Sequence, residues 1–217
     1  MLTRFLESSL SSAGRVVEVN GLRGAISSEA TIQEIKISDD QGIWLTLSNI
    51  TLNWNRLSAL RGNIIINQLS AETITMPRLP RPESTPEAMK AEATPFSLPE
   101  LPVSINIQKL SADRINLGEP VLGRESVMSL ESKLVLQDGN GEVVFKATQL
   151  KGPEGKFHFD ASFSNKSRNL KVDLKANEAA NGIISGLAHL PGKPEIELTV
   201  LGEGKIEDFK ANISLAS

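Results

Sequence analysis

The sequence predicts a mainly β protein, and three observations carry that prediction. Apolar and polar residues alternate with a period of two along most of the chain, helical spacing is confined to short stretches, and turn-forming residues fall between the alternating runs. Successive strand side chains point to opposite faces, so each such run presents one oily and one wet face. Strands of this kind belong to an antiparallel or mixed sheet, because the strands of a doubly covered parallel sheet read as unbroken apolar runs.

The elements follow in order. Leu2, Phe5, Leu6 and Leu10 sit at helical spacing near the start. Residues Val16 to Val19, Thr31 to Ile37, Ile43 to Leu47, Ile50 to Trp54, Asn63 to Gln68 and Thr73 to Met76 read as strands, with Asp39-Asp40-Gln41-Gly42 as a turn. This N-terminal β segment covers residues 1–76. Seven of the 11 prolines then fall in residues 77–102. Proline has no amide hydrogen to give and biases its predecessor toward extended conformations, so this stretch is a linker or disordered loop. Within it, Pro86 to Glu92 has the composition for one or two helical turns.

Residues 103–217 resume the pattern with Ser104 to Gln108, Arg114 to Leu117, Ser129 to Leu136 and Glu142 to Leu150, where Asp138-Gly139-Asn140-Gly141 marks a hairpin. The alternation is strongest in Phe157 to Phe163, Leu170 to Ala176, Ile196 to Val200 and Phe209 to Leu215. Ala179, Ala180, Ile183, Ile184 and Leu187 suggest a short helix near residues 178–189, with Asn177 as its N-cap. Roughly fifteen strands result, and at a spacing near 4.8 Å one unbroken sheet of them would extend on the order of 70 Å. A repeat at an offset of 41 sets Ile64, Ile66, Leu69, Ser70, Ala71 and Ile74 against Ile105, Ile107, Leu110, Ser111, Ala112 and Ile115, which implies stacked strand units that cover each other's edges.

Composition excludes several functions. With 23 basic and 26 acidic side chains, and no basic block, the chain lacks the concentrated positive face that nucleic acid requires. It has no cysteine, hence no disulfide, thiol nucleophile or Cys-ligated zinc. Its longest aliphatic runs, such as Ile64 to Ile66, are far short of a membrane span, and no secretory signal opens it. His158 lies on the polar side of a strand and His189 ends the short helix, neither with a second histidine or carboxylates at ligand spacing. Gly202-Glu203-Gly204 lacks the third glycine and following helix of a dinucleotide loop. Asp39-Asp40 and Glu207-Asp208 lack the spaced donors of a calcium loop, and Ser126, Ser129 and Ser132 have no paired base. The expectation is a protein that is not an enzyme and carries no cofactor or metal. What it offers instead is aliphatic strand surface, which fits the inside of a closed sandwich or barrel as well as an open trough.

Two stretches resemble a known family. Ile35-Lys36-Ile37-Ser38-Asp39-Asp40-Gln41-Gly42-Ile43-Trp44-Leu45, Leu52-Asn53-Trp54, Leu69-Ser70-Ala71-Glu72-Thr73-Ile74 and Arg78-Leu79-Pro80 form the first; Leu187-Ala188-His189-Leu190-Pro191-Gly192, Leu201-Gly202-Glu203-Gly204 and Asp208-Phe209-Lys210-Ala211 form the second. Together they resemble the N-terminal periplasmic region of the TamB family, within the wider AsmA-like group. The Asp-x-x-Gly-x-Trp-Leu run followed by a second tryptophan is the more specific part, and the proline-rich linker has no counterpart.

That resemblance implies an elongated, curved β-sheet folded into a hydrophobic groove, with one or two short helices. It implies a protein of the periplasm, attached to the inner membrane through an anchor that this chain lacks and working with an outer-membrane barrel of the Omp85 class. The chain is then a fragment from just after that anchor. The associated function is phospholipid transport toward the outer membrane; the alternative is a scaffold for outer-membrane barrel assembly by strand addition. Alternation nominates Ile64, Ile66, Ile105, Ile107, Phe157, Phe159, Val172, Leu174, Ile196, Leu198, Ile213 and Leu215 as the residues lining such a groove.

Overall fold

Eleven strands form one sheet in which each strand lies beside its neighbours in sequence. The computed structural model describes residues 7, 11, 14–24, 27–59, 61–81, 96–99 and 101–217. The strands are β1 (Val16–Asn20), β2 (Glu29–Asp39), β3 (Gly42–Trp54), β4 (Asn63–Met76), β5 (Ser104–Leu117), β6 (Ser126–Gln137), β7 (Asn140–Lys151), β8 (Gly155–Ser164), β9 (Asn169–Glu178), β10 (Ile196–Lys205) and β11 (Ala211–Ala216). All pairs are antiparallel except β4 with β5, which is parallel. The sheet is curved and open, with no pairing between β1 and β11. Ten inter-strand steps near 4.8 Å make it roughly 48 Å long.

Among the described residues, three short helices lie between strands: α1 (Arg56–Ala59), α2 (Glu119–Leu122) and α3 (Ile183–Leu187), with one 3-10 turn at Ile206–Asp208. No helix among the described residues is long and apolar enough to cross a membrane. The helical spacing at Leu2, Phe5, Leu6 and Leu10 and the turns expected over Pro86 to Glu92 lie outside the described residues.

The strand count corrects the sequence expectation. Ile43 to Leu47 and Ile50 to Trp54 are one strand, β3; Asn63 to Gln68 and Thr73 to Met76 are one strand, β4; Ser104 to Gln108 and Arg114 to Leu117 are one strand, β5. The alternation changes phase inside each, and phase changes read as turns. Here they are irregularities within continuous pairing. Gln108 and Lys109 on β5 face the single residue Lys133 on β6, and Asp113 and Arg114 face Ser129. Such bulges add one residue without ending the ladder. On β3 the break falls at Asn49, whose φ of 51° is left-handed.

Two further local expectations are corrected. Phe209 is outside β11, and its ring lies against Gly202, where a side-chain carbon would come within 2.4 Å of it. Helix α3 is capped by Gly182 rather than Asn177, which remains in β9. Gly182 makes no side-chain cap, and the Glu178 carboxylate supplies it instead, accepting the Ile184 and Ser185 amides at 2.8 and 2.7 Å. Two orphan N–H groups of the first turn are thereby satisfied by a negative charge placed at the helix's positive end.

The parallel pair sets the course of the proline-rich connection. Met76 and Ser104 sit at opposite ends of paired strands, so the chain between them must return over the length of a 14-residue strand, about 46 Å. Its described parts are tied to two turns. Arg78 forks onto Asp39, its Nη1 donating to Oδ2 at 2.8 Å and its Nη2 to Oδ1 at 2.5 Å, and the Arg81 amide donates to the same carboxylate at 2.9 Å. At the far end, the Leu98 amide donates to Asn165 Oδ1 at 2.8 Å while Asn165 Nδ2 donates to the Leu98 carbonyl at 2.9 Å.

Candidate functional site

Register sorts every strand residue onto one of two faces. A single transverse row runs Ile32, Ile50, Ala71, Ala112, Leu130, Ala147, Phe157, Ala176, Leu198, Leu215, each residue paired with the next across ten strands. Every member is apolar. The adjacent row on the same face runs Ala30, Leu52, Leu69, Leu110, Ser132, Phe145, Phe159, Leu174, Val200, Ile213, and the one beyond it runs Trp54, Ile66, Ile107, Leu134, Val143, Ala161, Val172, Gly202, Ala211. The opposite face carries Thr31, Thr51, Ser70, Ser111, Glu131, Lys146, His158, Lys175, Thr199 and Ser214 in one row. The sheet is therefore amphipathic from β2 to β11.

The bulges are what keep it so. On β5, Ile105 and Ile107 share a face with Leu110 and Ala112, and these with Ile115 and Leu117, because an extra residue intervenes twice. Strict alternation would turn Leu110 and Ala112 to the wet side, since a one-residue slip flips every later side chain.

All 12 residues nominated from the sequence lie on this one apolar face. Phe157, Leu198 and Leu215 belong to the first row; Phe159, Leu174 and Ile213 to the second; Ile66, Ile107 and Val172 to the third. Ile64 and Ile105 pair with each other beyond the third row, and Ile196 sits one step to the other side of the first, opposite Glu178. Sequence reasoning missed Ile50, Leu52, Leu69, Leu110 and the four alanines of the first row. Leu69, Ala71, Leu110 and Ala112 were already visible in the 41-residue repeat, yet the phase changes hid which face they occupy.

Exposure along this face is graded. The alanines at its centre are buried, Ala112 and Ala176 at 2% exposure each, while most of the larger aliphatics around them are half-exposed. No second sheet covers them among the described residues, so the closed sandwich or barrel is not the architecture found. The apolar face of the curved, open sheet makes a furrow that runs from strand to strand, with the strand ends as its two lips. Ile213 and Leu215 on β11 are 70% and 60% exposed. At the other edge, the outward amides of Val17 and Val19 are taken by Ser11 Oγ and Glu7 Oε1, both at 3.0 Å.

Each lip is partly closed by a connection. On one, Phe96 meets Phe163 edge to face at 5.1 Å, and the Arg168 guanidinium lies 5.5 Å over the Phe163 ring, leaving that ring 6% exposed. Arg168 also donates to the Phe96 carbonyl and to Glu207, which holds the Glu207 carboxyl below its ordinary range. On the other lip lies α3, with Ile183 buried and Glu178 at its amino end.

The polar residues singled out in the sequence lie apart from one another among the described residues. His158 pairs laterally with Lys146 and Lys175 on the wet face, and His189 is exposed beyond α3. Register puts Ser126 and Ser132 on the apolar face and Ser129 on the other. Gly202 and Gly204 are β10 residues beside Val172 and Leu170, so they form no phosphate loop. Among the described residues no group of three or more His, Asp or Glu side chains is placed to hold a metal ion. No family model, no curated protein and no solved structure matches the chain.

Proposed function

We propose that the apolar furrow shields the acyl chains of phospholipid, as the periplasmic part of an inner-membrane-anchored bridge that moves lipid toward the outer membrane with an Omp85-class barrel as partner. The observation that carries this reading is the transverse apolar row unbroken from Ile32 to Leu215 on a face that no second sheet covers among the described residues. Each methylene exposed to water costs about 0.8 kcal/mol, so a sixteen-carbon chain leaving a bilayer meets a barrier on the order of 12 kcal/mol. An aliphatic furrow lowers that barrier without any reaction, while the headgroup stays in solvent at the lip. The compartment and the barrel partner come from the family resemblance.

The test is lipid capture. Mass spectrometry of the purified chain should find phospholipid, and Ile107→Arg or Leu198→Asp, folded by circular dichroism, should lose most of it. Lipid content equal to the parent's in both variants would defeat the conduit reading at those positions.

A further inference from the structure

Two loops meet at the lip that carries α3, and the side chains they bring together are not explained by the fold. Leu122 to Glu125 from the β5–β6 connection and Asn181 to Lys193 from the β9–β10 connection enclose a cleft of about 740 Å³. Its charged side chains are Arg124 and Lys193, against the single carboxylate of Glu125. Arg124 is fixed from one side, its Nη1 donating to the Asn181 carbonyl. Its Nε is buried and has no hydrogen-bond partner. Two more buried atoms in the same state, Ser126 Oγ and Gln149 Oε1, come from the neighbouring ends of β6 and β7. A side-chain carbon at Gly152 would lie 3.1 Å from Arg124 Nη2 and 3.2 Å from Gln149 Nε2, so these two donors converge where the glycine leaves room. Buried polar atoms are nearly always paired, and a guanidinium donor left without an acceptor is a costly exception.

The backbone supports the same place. Asn181, His189 and Lys193, all lining the cleft, have φ of 61°, 52° and 43°, half of the non-glycine residues in the left-handed region among those described. Such conformations persist only where the surroundings hold them, and they gather at binding sites.

We propose that this cleft receives the phosphate of a phospholipid headgroup, with the Arg124 fork as its main ligand and Lys193 as a second positive charge. The inference rests on the acyl-chain reading above. Arg124 lines the cleft with a planar guanidinium whose parallel N–H donors suit phosphate oxygens in a way that an ammonium group does not match. Because the cleft sits at the lip, a chain lying in the furrow can deliver its headgroup there. The shared chemistry is a phosphate ester, which a soluble phosphate could also satisfy.

The experiment titrates the full chain, below micelle-forming concentration, with dodecyl phosphate, with uncharged dodecyl maltoside and with inorganic phosphate, for the parent, Arg124→Gln, Arg124→Lys and Lys193→Gln. The proposal expects dodecyl phosphate to bind more tightly than the maltoside, and Arg124→Gln to weaken the phosphate ligand on the order of tenfold while leaving the maltoside unchanged. Arg124→Lys should recover only part of that loss. Lys193→Gln, whose side chain anchors no loop contact, guards against misfolding of the Arg124 variants and should show a smaller loss of the same sign. Equal binding of both alkyl ligands, unaffected by these substitutions, would overturn the headgroup site and leave the furrow reading standing. Failure of both alkyl ligands would overturn the furrow reading and the headgroup site with it. Inorganic phosphate bound with the same Arg124 dependence, and no gain from the alkyl chain, would assign the cleft to a soluble phosphate and overturn the headgroup.

Discussion

Ile66 of β4 and Ile107 of β5 lie side by side as parallel partners, as do Ile64 with Ile105, Leu69 with Leu110, Ala71 with Ala112 and Ile74 with Ile115. Each pair is separated by 41 positions, which is the offset of the sequence repeat. The repeat thus encodes a lateral pairing: two copies of one strand stand in register, and each copy's phase changes fall beside the other's. Matched bulges let both strands bend together, so the apolar face passes across the parallel junction without a polar gap.

The centre of the furrow should resist enlargement. Ala112 is 2% exposed between Ala71 and Leu130, so extra methylenes there have no space without moving a neighbour. Ala112→Leu is expected to lower stability in urea by about 1–3 kcal/mol, the usual cost of overpacking. A variant more stable than the parent would show unfilled space above the alanine row.

The Asn165 amide acts as a two-point clamp on Leu98. Asn165→Ala removes both hydrogen bonds, whose loss is expected to cost about 1–3 kcal/mol locally. Hydrogen exchange reads this directly, since the Leu98 amide should exchange faster in the variant while amides in the middle of β6 stay protected. Unchanged exchange at Leu98 would mean that Phe96 on Phe163 holds the segment without the clamp.

The β class, the order of most strands and the wet and oily faces were all legible, because period-two alternation is written in every strand. The continuity of β3, β4 and β5 was not. A bulge at Gln108 and Lys109 breaks the alternation just as a turn would, and only the partner strand β6, whose Leu136, Leu134, Leu130 and Met128 keep strict parity, shows that the ladder continues. The cleft at Arg124 was illegible for a different reason: its residues come from loops 57 positions apart that the sheet order alone brings together.

Acid should act through Asp39. The Arg78 guanidinium, with help from the Arg81 amide, holds its carboxyl well below the usual carboxylate range, and Arg78 is raised in turn. An unfolded aspartate titrates near 3.9, so the stabilisation is fully present above about pH 4 and is lost as pH falls below that toward the folded value. Asp39→Asn should melt at a lower temperature than the parent at pH 7, and the difference should shrink between about pH 4 and pH 2. A difference that is constant with pH would assign the stabilisation to packing and not to the charge.

Gly182 gives the cleanest test of how α3 is held, because its φ of −76° suits any residue and only space forbids a side chain. A carbon there would fall 2.3 Å from Glu178 Cδ and 2.4 Å from Oε2, so Gly182→Ala must push the carboxylate off the Ile184 and Ser185 amides. Two buried donors would then be left without an acceptor, and α3 with its five residues is too short to persist without its cap. Gly182→Ala should therefore expose Ile183 and accelerate hydrogen exchange at Ser185. Glu178→Gln, which keeps one acceptor oxygen, should do so to a lesser degree. If Gly182→Ala exchanged at the parent's rate, packing of Ile183 and not the carboxylate would be what holds the helix against the sheet.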